Sequence, residues 1–470
     1  MSRQGHAIVI GASLAGLVAA RTLVDHFDRV TVVERDSLPD GPEVRAGVPQ
    51  ARHVHVLLLR GAALLEERFP GLDAELAAAG APAIDWTADM WFFNFGAWKP
   101  HVPSGLTTHA CSRALLEWTV RGRVAAHPNL QFLDQTEVTG LVADPSGRRI
   151  TGLRLRSRGR RGEGDGQTDR TLDAHLVVNA AGRDGRTAQW LEALGYPVPR
   201  ETHVNSHLGY ATRVYRPPDG FGARWKSLVV AATPPESRGA VLMPVEDGLW
   251  IVTLAGSRGD YPPTDEAGFQ AFLRSLPTPL IAEAIEQASP ISGIVGYRRT
   301  ENILRHFPKL PRFLEGFVSI GDAVCAFNPV YGQGMTVATH AATVLDECLR
   351  DQLGGSTSDL TGLARRYHRR LAKVISDPWL LATGEDLRYP ETTGADPSLA
   401  MRIVRPYLDR VLIASRDDPA AYRTVIEVIH LLKPPRSLFR PGILWRVLAK
   451  LAGSRRGRNA PPPPVAAPDA

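Results

Sequence analysis

The chain has 470 residues, and its 55 Lys and Arg against 49 Asp and Glu give a formal net charge of +6. With 44% hydrophobic residues it can bury a large core, which excludes fibrous and mostly disordered classes. No run of about 18 apolar residues occurs, so no ordinary membrane-spanning helix is expected. The cysteines are Cys111, Cys325 and Cys348, and their spacing predicts neither a disulfide framework nor a metal site and fits a cytoplasmic protein.

Arginine supplies almost all of the positive charge, because only six of the 55 basic residues are lysines. The densest basic clusters span 154–170 and 455–458, and neither is accompanied by an RNA-binding aromatic motif or a zinc-finger spacing. We therefore expect no nucleic-acid partner.

A strand–helix–strand pattern opens the chain. The apolar run Ala7–Ile10 predicts a strand that ends at Gly11, a helical pattern runs from Leu14 to about His26, and Val30–Glu34 predicts a second strand. The length of this unit is typical of a parallel βαβ crossover.

Helices and strands alternate through the next 150 residues or so. The predicted elements are a helix over 51–68, an aromatic-rich strand over 86–98, a helix over 113–126, two or three antiparallel strands over 130–155 and a buried strand over 176–182.

An all-β block follows over 209–254, where the turn residues Asp247 and Gly248 predict a hairpin. The remaining predicted elements are helices over 265–287, a strand ending in glycine over 317–322, a mostly helical stretch over 335–432 and a Pro-rich tail over 459–470.

Together the elements predict an α/β fold, in which a discontinuous Rossmann-type dinucleotide-binding domain is interrupted by an antiparallel-sheet substrate domain and followed by a C-terminal helical region. The predicted boundaries are 1–80, 104–185 and 300–345 for the first domain, 81–103 and 186–299 for the second, 346–455 for the helical region and 456–470 for a disordered tail.

The first chemical motif lies at the turn between the opening strand and helix. Its sequence is Gly11-Ala12-Ser13-Leu14-Ala15-Gly16, a GxGxxG pattern with serine in the place of the middle glycine. Such a turn lets a backbone approach a pyrophosphate, and the helix N-terminus points free N–H groups at it. Glu34 ends the next strand, about 20 residues on, where a carboxylate can bind a ribose; the neighbouring Arg35 is a second candidate contact.

A second glycine-rich turn follows the strand near residue 317. It comprises Gly321-Asp322-Ala323, then Asn328-Pro329, then Gly332-Gln333-Gly334-Met335 at the start of a helix. This arrangement predicts a second helix N-terminus that can bind an anion or a dipole.

Here the sequence resembles the FAD-dependent aromatic hydroxylases and squalene-epoxidase-like monooxygenases. The resemblance implies that Asp322 binds the flavin ribitol, and that Pro329 and the turn Gly332-Gln333-Gly334-Met335 place a helix N-terminus against the flavin pyrimidine edge. In that class the reduced flavin and O₂ form a C4a-hydroperoxide, whose distal oxygen goes to the substrate.

Three further stretches match the class of p-hydroxybenzoate-hydroxylase-like enzymes. Arg45-Ala46-Gly47-Val48 implies an arginine on the adenosine side and a Gly-Val backbone at the flavin ring. Arg113 matches an arginine that in this class approaches the adenosine-phosphate half, and the resemblance implies that the strand of Val138 contacts adenine through its backbone.

Within the class, the sequence is most similar to bacterial epoxidases of polyether-antibiotic pathways. The segments that carry this resemblance are 47–53, 210–213, 327–332 and 377–379. They imply an apolar small-molecule substrate and O₂ as co-substrate.

The sequence also departs from the class. Ala181 stands where hydroxylases carry the Asp of an Asp-Gly pair that links FAD to NADPH, so the electron donor is either NAD(P)H or a separate reductase. The flavin-halogenase pattern WxWxIP is absent.

Three local features remain open. His53 and His55 are either pocket residues near the flavin or helix-start histidines bonded to the backbone. The aromatic strand Trp91–Phe95 either lines a cavity or is core. The stretch Leu438–Leu451 is either a helix lying on a membrane surface or one packed on the protein body.

The leading hypothesis is an FAD-dependent monooxygenase that epoxidises or hydroxylates an apolar polyene, terpenoid or polyketide intermediate. One alternative is a flavin-dependent alkene reductase of the geranylgeranyl-reductase type. Another is a cyclase that uses FAD without redox turnover. The oligomeric state cannot be inferred from the sequence.

Overall fold

The computed structural model describes residues 5–158, 169–354 and 359–453. The predicted tail over 456–470, the arginine cluster over 455–458 and the middle of the cluster over 154–170 lie outside the described residues.

The strands are β1 (His6–Ile10), β2 (Arg29–Val33), β3 (Ala83–Asp85), β4 (Met90–Asn94), β5 (Ala97–Trp98), β6 (Thr107–His109), β7 (Leu130–Leu133), β8 (Thr136–Ala143), β9 (Ile150–Ser157), β10 (Asp169–Asp173), β11 (Leu176–Asn179), β12 (Glu201–Val204), β13 (Gly209–Arg216), β14 (Ser227–Val230), β15 (Arg238–Val245), β16 (Leu249–Gly256), β17 (Ser289–Pro290), β18 (Val295–Tyr297), β19 (Asn302–Arg305), β20 (Phe317–Ser319) and β21 (Cys325–Ala326). The helices are α1 (Leu14–Leu23), α2 (Leu59–Arg68), α3 (Leu72–Ala78), α4 (Arg113–Ala125), α5 (Thr187–Ala193), α6 (Glu266–Arg274), α7 (Leu280–Glu286), α8 (Gln333–Leu353), α9 (Leu363–Asp386), α10 (Leu399–Ala414), α11 (Pro419–Ile429) and α12 (Pro441–Gly453).

A five-stranded parallel sheet carries the opening βαβ unit. Its strand order is β20-β11-β1-β2-β7, with Ala7 paired to Val30 on one side and to Leu176 on the other. Every residue of β1 is buried, as expected for a strand covered on both faces. Helices α1 and α8 pack against this sheet in one core, so the predicted α/β fold is confirmed.

The predicted antiparallel block over 130–155 is wrong for its first strand. β7 pairs parallel to β2, with Val30 opposite Leu130, whereas β8 and β9 are antiparallel partners. Helix α4 returns the chain to the far end of the sheet before β7 begins, which makes the parallel pairing possible. Apolar patterning identifies a strand but not its direction.

A second sheet of eight strands has the order β17-β13-β16-β15-β14-β4-β5, with β18 also paired to β13. The predicted hairpin at Asp247 joins β15 to β16. Side chains alternate along β4: Trp91 and Phe93 pack in the core with α6 and α7, whereas Phe92 lies in a separate apolar cluster with Trp86 on the other face. Both faces of this aromatic strand therefore pack in apolar clusters, which favours the core interpretation.

The helix predicted over 51–68 begins only at Leu59. Before it, Pro49–Arg52 form one 3₁₀ turn, and the chain then crosses the face of the eight-stranded sheet. There the Val54 N–H donates to Thr253 Oγ1 at 3.2 Å, and His53 Nδ1 is 2.7 Å from Thr212 Oγ1. These bonds to the sheet replace the helical ones.

The C-terminal helices α9–α12 complete the fold. On α12, Ile443 and Val447 pack against Val411 and Ala414 of α10, which favours the packed interpretation of this segment. Its other face is open, with Trp445 72% exposed. Among the described residues, no helix is both long and apolar enough to cross a membrane.

Candidate functional site: a cleft between two helix N-termini

The turn between β1 and α1 is tight enough to require glycine at two positions. Gly11 has φ +99°, a conformation that L side chains rarely adopt. A Cβ on Gly16 would lie 1.8 Å from the Gly11 carbonyl oxygen, so the helix can approach the turn only without a side chain there. The Ala12 N–H donates to Glu34 Oε2 at 2.8 Å, which fixes this predicted ribose-binding carboxylate at the turn.

A cluster of paired charges surrounds the N-terminus of α1. Arg45 Nη1 lies 3.0 Å from Glu34 Oε2, and Arg45 Nη2 lies 3.3 Å from Glu117 Oε2. Arg113 donates from Nη2 to Glu117 Oε1 at 2.6 Å and to Ser13 Oγ at 3.1 Å. The predicted residues Ser13, Arg45 and Arg113 therefore converge in space.

Glu117 is the residue of this cluster that sequence reasoning missed. Its Oε1 accepts the Leu14 N–H, in the first turn of α1, at 3.0 Å and also the Ser13 hydroxyl. Burial alone would raise the pKa of Glu117, but Arg113, the Ser13 hydroxyl and Arg45 together lower it to about 2. The available sequence signal was the spacing of four residues between Arg113 and Glu117 on one helix.

The other residues predicted on this side differ in their placement. The Gly47 N–H donates to Asp36 Oδ2 at 2.7 Å, and a Cβ on Gly47 would come 2.4 Å from that oxygen, so residues 47–48 lie close to the end of β2. Val138 is buried in the cluster that holds Val33. Arg35, in contrast, has a side chain 60% exposed and makes only a 4.0 Å ion pair with Asp36.

The second glycine-rich turn lies directly against the first. A Cβ on Gly321 would come 2.8 Å from Ala15 Cβ, so small residues at both positions bring the strand end and α1 together. The Asp322 carboxylate lies near the start of α8, with Oδ1 3.9 Å from the Cβ position of Gly334. Burial raises the pKa of Asp322, and the positive charges of Arg183, Arg113 and Arg305 partly offset that rise.

The start of α8 is open to a ligand. Gly332, with φ +65°, turns the chain into the helix after the turn Pro329–Tyr331, and no side chain caps the helix. The first helical residue, Gln333, is buried and its Oε1 has no hydrogen-bond partner among the described residues. Met335 follows two residues later and lines an adjacent cavity.

These residues fit the FAD that the resemblance implies. The N-termini of α1 and α8 meet in one cleft, the glycine positions leave room for a close approach, and two arginines stand beside the first helix. We therefore expect the diphosphate at α1, and the flavin, on which negative charge develops during reduction, at α8.

A small cavity of about 10 Å³, with both polar and apolar side chains in its lining, lies between α4, α8 and the eight-stranded sheet. It is lined by His55, Val56, Leu57, Trp86, Thr108, His109, Ala110, Cys111, Ser112, Arg113, Leu116, Met243 and Met335. None of these residues is acidic, and none is a lysine. The lining extends from Arg113 and Met335, at the two helix N-termini, to Met243 of β15.

Two histidines at this end of the cleft are neutral. His55 Nδ1 lies 3.0 Å from the His53 carbonyl oxygen, so Nδ1 carries the proton and Nε2 keeps its lone pair. Burial and the nearby Arg113 lower the pKa of His55 to about 3. His53 is also buried, and burial together with Arg52 lowers its pKa to about 4. The hydrogen bond of His55 to a backbone carbonyl supports the interpretation of a backbone-bonded histidine. His53 instead hydrogen-bonds to a side chain of the eight-stranded sheet.

The chain is similar in sequence to known proteins. The family of the FAD binding domain matches residues 5–376. Protein Rv3254 of Mycobacterium tuberculosis is 35% identical over 424 residues, which cover 88% of this chain and 87% of that protein. Kynurenine 3-monooxygenase of Salinispora tropica is 26% identical over 471 residues, covering 88% of this chain and 92% of that protein.

Solved structures share the fold. The flavin-dependent brominase Bmp2 superposes with a TM-score of 0.65 at 12% identity, covering 96% of this chain and all of that one. PqsL, a probable FAD-dependent monooxygenase from Pseudomonas aeruginosa, gives a TM-score of 0.57 at 17% identity, covering 81% of this chain and 97% of that one. With the family match over residues 5–376, the chain belongs to the FAD-binding domain family and is related to the flavin-dependent monooxygenases.

Proposed function

We propose that the protein is an FAD-dependent monooxygenase that epoxidises or hydroxylates an apolar biosynthetic intermediate of the polyene, terpenoid or polyketide kind. One oxygen atom of O₂ enters the substrate and the other leaves as water. Two electrons come from NAD(P)H or a separate reductase, with two protons. The observation that carries the proposal is the open N-terminus of α8 beside a small cavity that Met335 and Arg113 line.

The residues proposed to hold FAD are those that converge in the cleft. They are Gly11, Ala12, Ser13, Ala15, Gly16, Glu34, Arg45, Gly47, Val48, Arg113, Val138, Asp322, Pro329, Gly332, Gln333, Gly334 and Met335, with Glu117 added and Arg35 at the exposed rim. Bound FAD would supply the activation of O₂, while the protein orients the substrate and excludes water.

The cavity favours an alkene over a phenol as substrate. Phenol hydroxylation benefits from a base that raises the electron density of the ring, whereas alkene epoxidation needs none. No acidic residue lines the cavity itself, the lining residue His109 is engaged by Asp73 at 2.6 Å, and the low pKa of His55 makes it a poor base. Resemblance to polyether epoxidases in 47–53 and 327–332 supports the same substrate class.

The relatives support oxygenation over the alternatives. Kynurenine 3-monooxygenase is by its name a monooxygenase, and it aligns with 88% of this chain. The brominase Bmp2 shares the fold, but a flavin halogenase is expected to have a catalytic lysine, and no lysine lines this cavity. The buried Lys99 donates its Nζ protons elsewhere, to the Leu412 carbonyl and Ser415 Oγ. An alkene reductase and a non-redox cyclase remain the competing functions.

The open face of α12 supports one addition to the proposal. Trp445, Leu448 and the neighbouring Leu444 are exposed apolar side chains on a helix that also carries Arg446 and Lys450. Such a face can lie on a membrane surface that dissolves an apolar substrate. Cosedimentation with anionic vesicles, lost in Trp445→Ser, would support this contact, and equal recovery of both proteins in the supernatant would exclude it.

Incorporation of ¹⁸O tests the proposal directly. The purified flavoprotein is incubated with ¹⁸O₂, NADPH and a candidate polyene, and the products are analysed by mass spectrometry. A monooxygenase adds one ¹⁸O atom per product and consumes O₂ in step. Addition of two hydrogens without O₂ consumption would identify a reductase, and isomerisation without electron uptake would identify a cyclase.

A further inference from the structure

A buried carboxylate hydrogen-bonds to the loop that leads into α8. Asp386, the last residue of α9, is only 1% exposed. Its Oδ1 accepts hydrogen bonds from Tyr331 Oη at 2.7 Å and from Ser206 Oγ at 2.9 Å. Its Oδ2 accepts one from Asn302 Nδ2 at 2.6 Å. Asn328 Nδ2 lies within reach of both oxygens, at 3.1 and 3.3 Å.

Every one of these partners is neutral. Among the residues that the structure describes, no cationic nitrogen lies within ion-pair distance of Asp386. Arg388, two residues on, is engaged by Glu385 and Asp409. Burial raises the pKa of Asp386, and the hydrogen bonds from Tyr331, Ser206, Asn328 and Asn302 oppose that rise. An ionised carboxylate is an acceptor only, so it suits a ring of donors.

Two of the donors flank the turn that opens α8. Asn328 precedes Pro329, and Tyr331 precedes Gly332, the residue before the helix. A second bond fixes the same turn, because the Asn328 N–H donates to Asn302 Oδ1 at 2.8 Å. One carboxylate therefore holds both ends of this turn.

We propose that Asp386 is a positioning residue, which orients the 328–332 turn and thereby the first N–H groups of α8 toward the flavin. Because that helix end stabilises negative charge, loss of its orientation weakens binding of reduced FAD more than binding of oxidised FAD. The proposal rests on FAD binding and does not depend on the oxygenation proposed above.

The test compares Asp386→Asn with a matched control, Asp346→Asn. Asp346 is also buried and also belongs to the helical region, but it lies 13 residues into α8, about 20 Å from its start, and pairs with His26 and Arg68. Both substitutions remove a buried charge, so both are expected to lower the Tm. Only Asp386→Asn is expected to change the flavin.

For Asp386→Asn we expect the Kd of oxidised FAD to rise about tenfold and that of reduced FAD about a hundredfold. That difference corresponds to a midpoint potential lower by about 30 mV, since a tenfold ratio is 29.6 mV for two electrons. Tyr331→Phe keeps the carboxylate and removes one donor, and should shift both quantities in the same direction by less.

A lower Tm with unchanged Kd and potential, as in Asp346→Asn, would overturn the proposal. If Asp386→Asn does not fold, Tyr331→Phe decides alone, and wild-type values in that variant would also overturn it. Neither readout uses substrate, so a negative ¹⁸O experiment leaves this inference standing, and an unchanged potential leaves the oxygenation standing.

Discussion

Titratable groups are buried at both ends of the cleft, but different causes set their pKa values at the two ends. At the α1 end, Glu34, Arg45, Arg113 and Glu117 form ion pairs, and neighbouring cations hold the pKa of Glu117 down to about 2. At the sheet end, His430 is buried against Trp86, and burial alone lowers its pKa to about 3, so this histidine is neutral. Where an opposite charge makes a direct ion pair, as at Glu117, it outweighs burial; where none is in contact, as at His430, burial decides.

Loss of the tight turn should have the largest effect at the charged end. In Gly16→Val the new Cβ would meet the Gly11 carbonyl at 1.8 Å, so we expect no FAD after purification, measured by the flavin absorbance per chain. Gly122→Ala is the control, because that helical glycine has nothing within 4 Å of its Cβ position. This variant should bind FAD normally, and its free energy of unfolding should rise by up to about 1 kcal/mol. Full flavin content in Gly16→Val would contradict this account of the turn.

Removal of one ion-pair partner should be the next largest effect. Glu117→Gln leaves Arg113 without its buried partner, and we expect the apoprotein to lose about 3 kcal/mol of unfolding free energy, measured by urea denaturation. Glu75→Gln breaks an exposed pair with Arg123 and should cost less than about 1 kcal/mol. Equal losses in the two variants would show that burial does not distinguish these pairs.

Asp322→Ala tests the predicted contact with the flavin ribitol. Loss of a charge-assisted hydrogen bond costs ~1.5–3 kcal/mol, so the Kd for FAD should rise roughly tenfold to a hundredfold while the fold survives. Asp25→Ala, at an exposed pair with Arg21, is the control and should leave the Kd unchanged. A wild-type Kd in Asp322→Ala would mean that this carboxylate does not contact the cofactor.

Acid should destabilise the neutral end before the charged end. His430 is buried against Trp86, and burial lowers its pKa from 6.5 to about 3. Below pH 6.5 the unfolded chain therefore binds a proton at this histidine, whereas the folded chain does not. The free energy of unfolding falls as the pH drops from 6.5, by about 2 kcal/mol at pH 5 for one histidine. Glu117, with its lowered pKa, loses its contribution only below about pH 4.5.

The measurement is the Tm of wild type and His430→Gln between pH 7.5 and 5. The variant should lose less Tm than wild type over this range, whereas His203→Gln, at an exposed site, should follow wild type. Parallel curves for all three proteins would remove the neutral histidines as the cause.

Lys99 is a second buried group without an ion-pair partner, because both acceptors of its amine are neutral. Burial, with Arg416 and Lys450, lowers its pKa from 10.5 to about 7. Above pH 7 the folded chain releases a proton that the unfolded chain keeps, so stability rises with pH. Relative to Lys99→Met, wild type should gain about 1 kcal/mol from pH 7 to 8. Lys226→Met, at an exposed lysine, should show no such change, and a constant gap for Lys99→Met would refute the shift.

Local patterns predicted much of this architecture. The βαβ unit, the hairpin at Asp247 and the glycine turn before α8 depend on residues close in sequence, and all three were found where the sequence placed them. The 53–58 segment was misjudged because its partners, Thr212 and Thr253, lie more than 150 residues away. Asp386 carried no local signal either, since its four partners come from three distant segments.

The pairing of β11 has a consequence for synthesis on the ribosome. β11 ends at Asn179, but its outer neighbour β20 begins at Phe317, about 140 residues later. At ~5–20 residues per second, the nascent chain spends roughly 7–28 s with one edge of the sheet unpaired. An unpaired edge is a template for other strands, so we expect this interval to be when the chain depends most on chaperones. Slowing translation just after residue 179 should therefore increase aggregation, and slowing it after 320 should not.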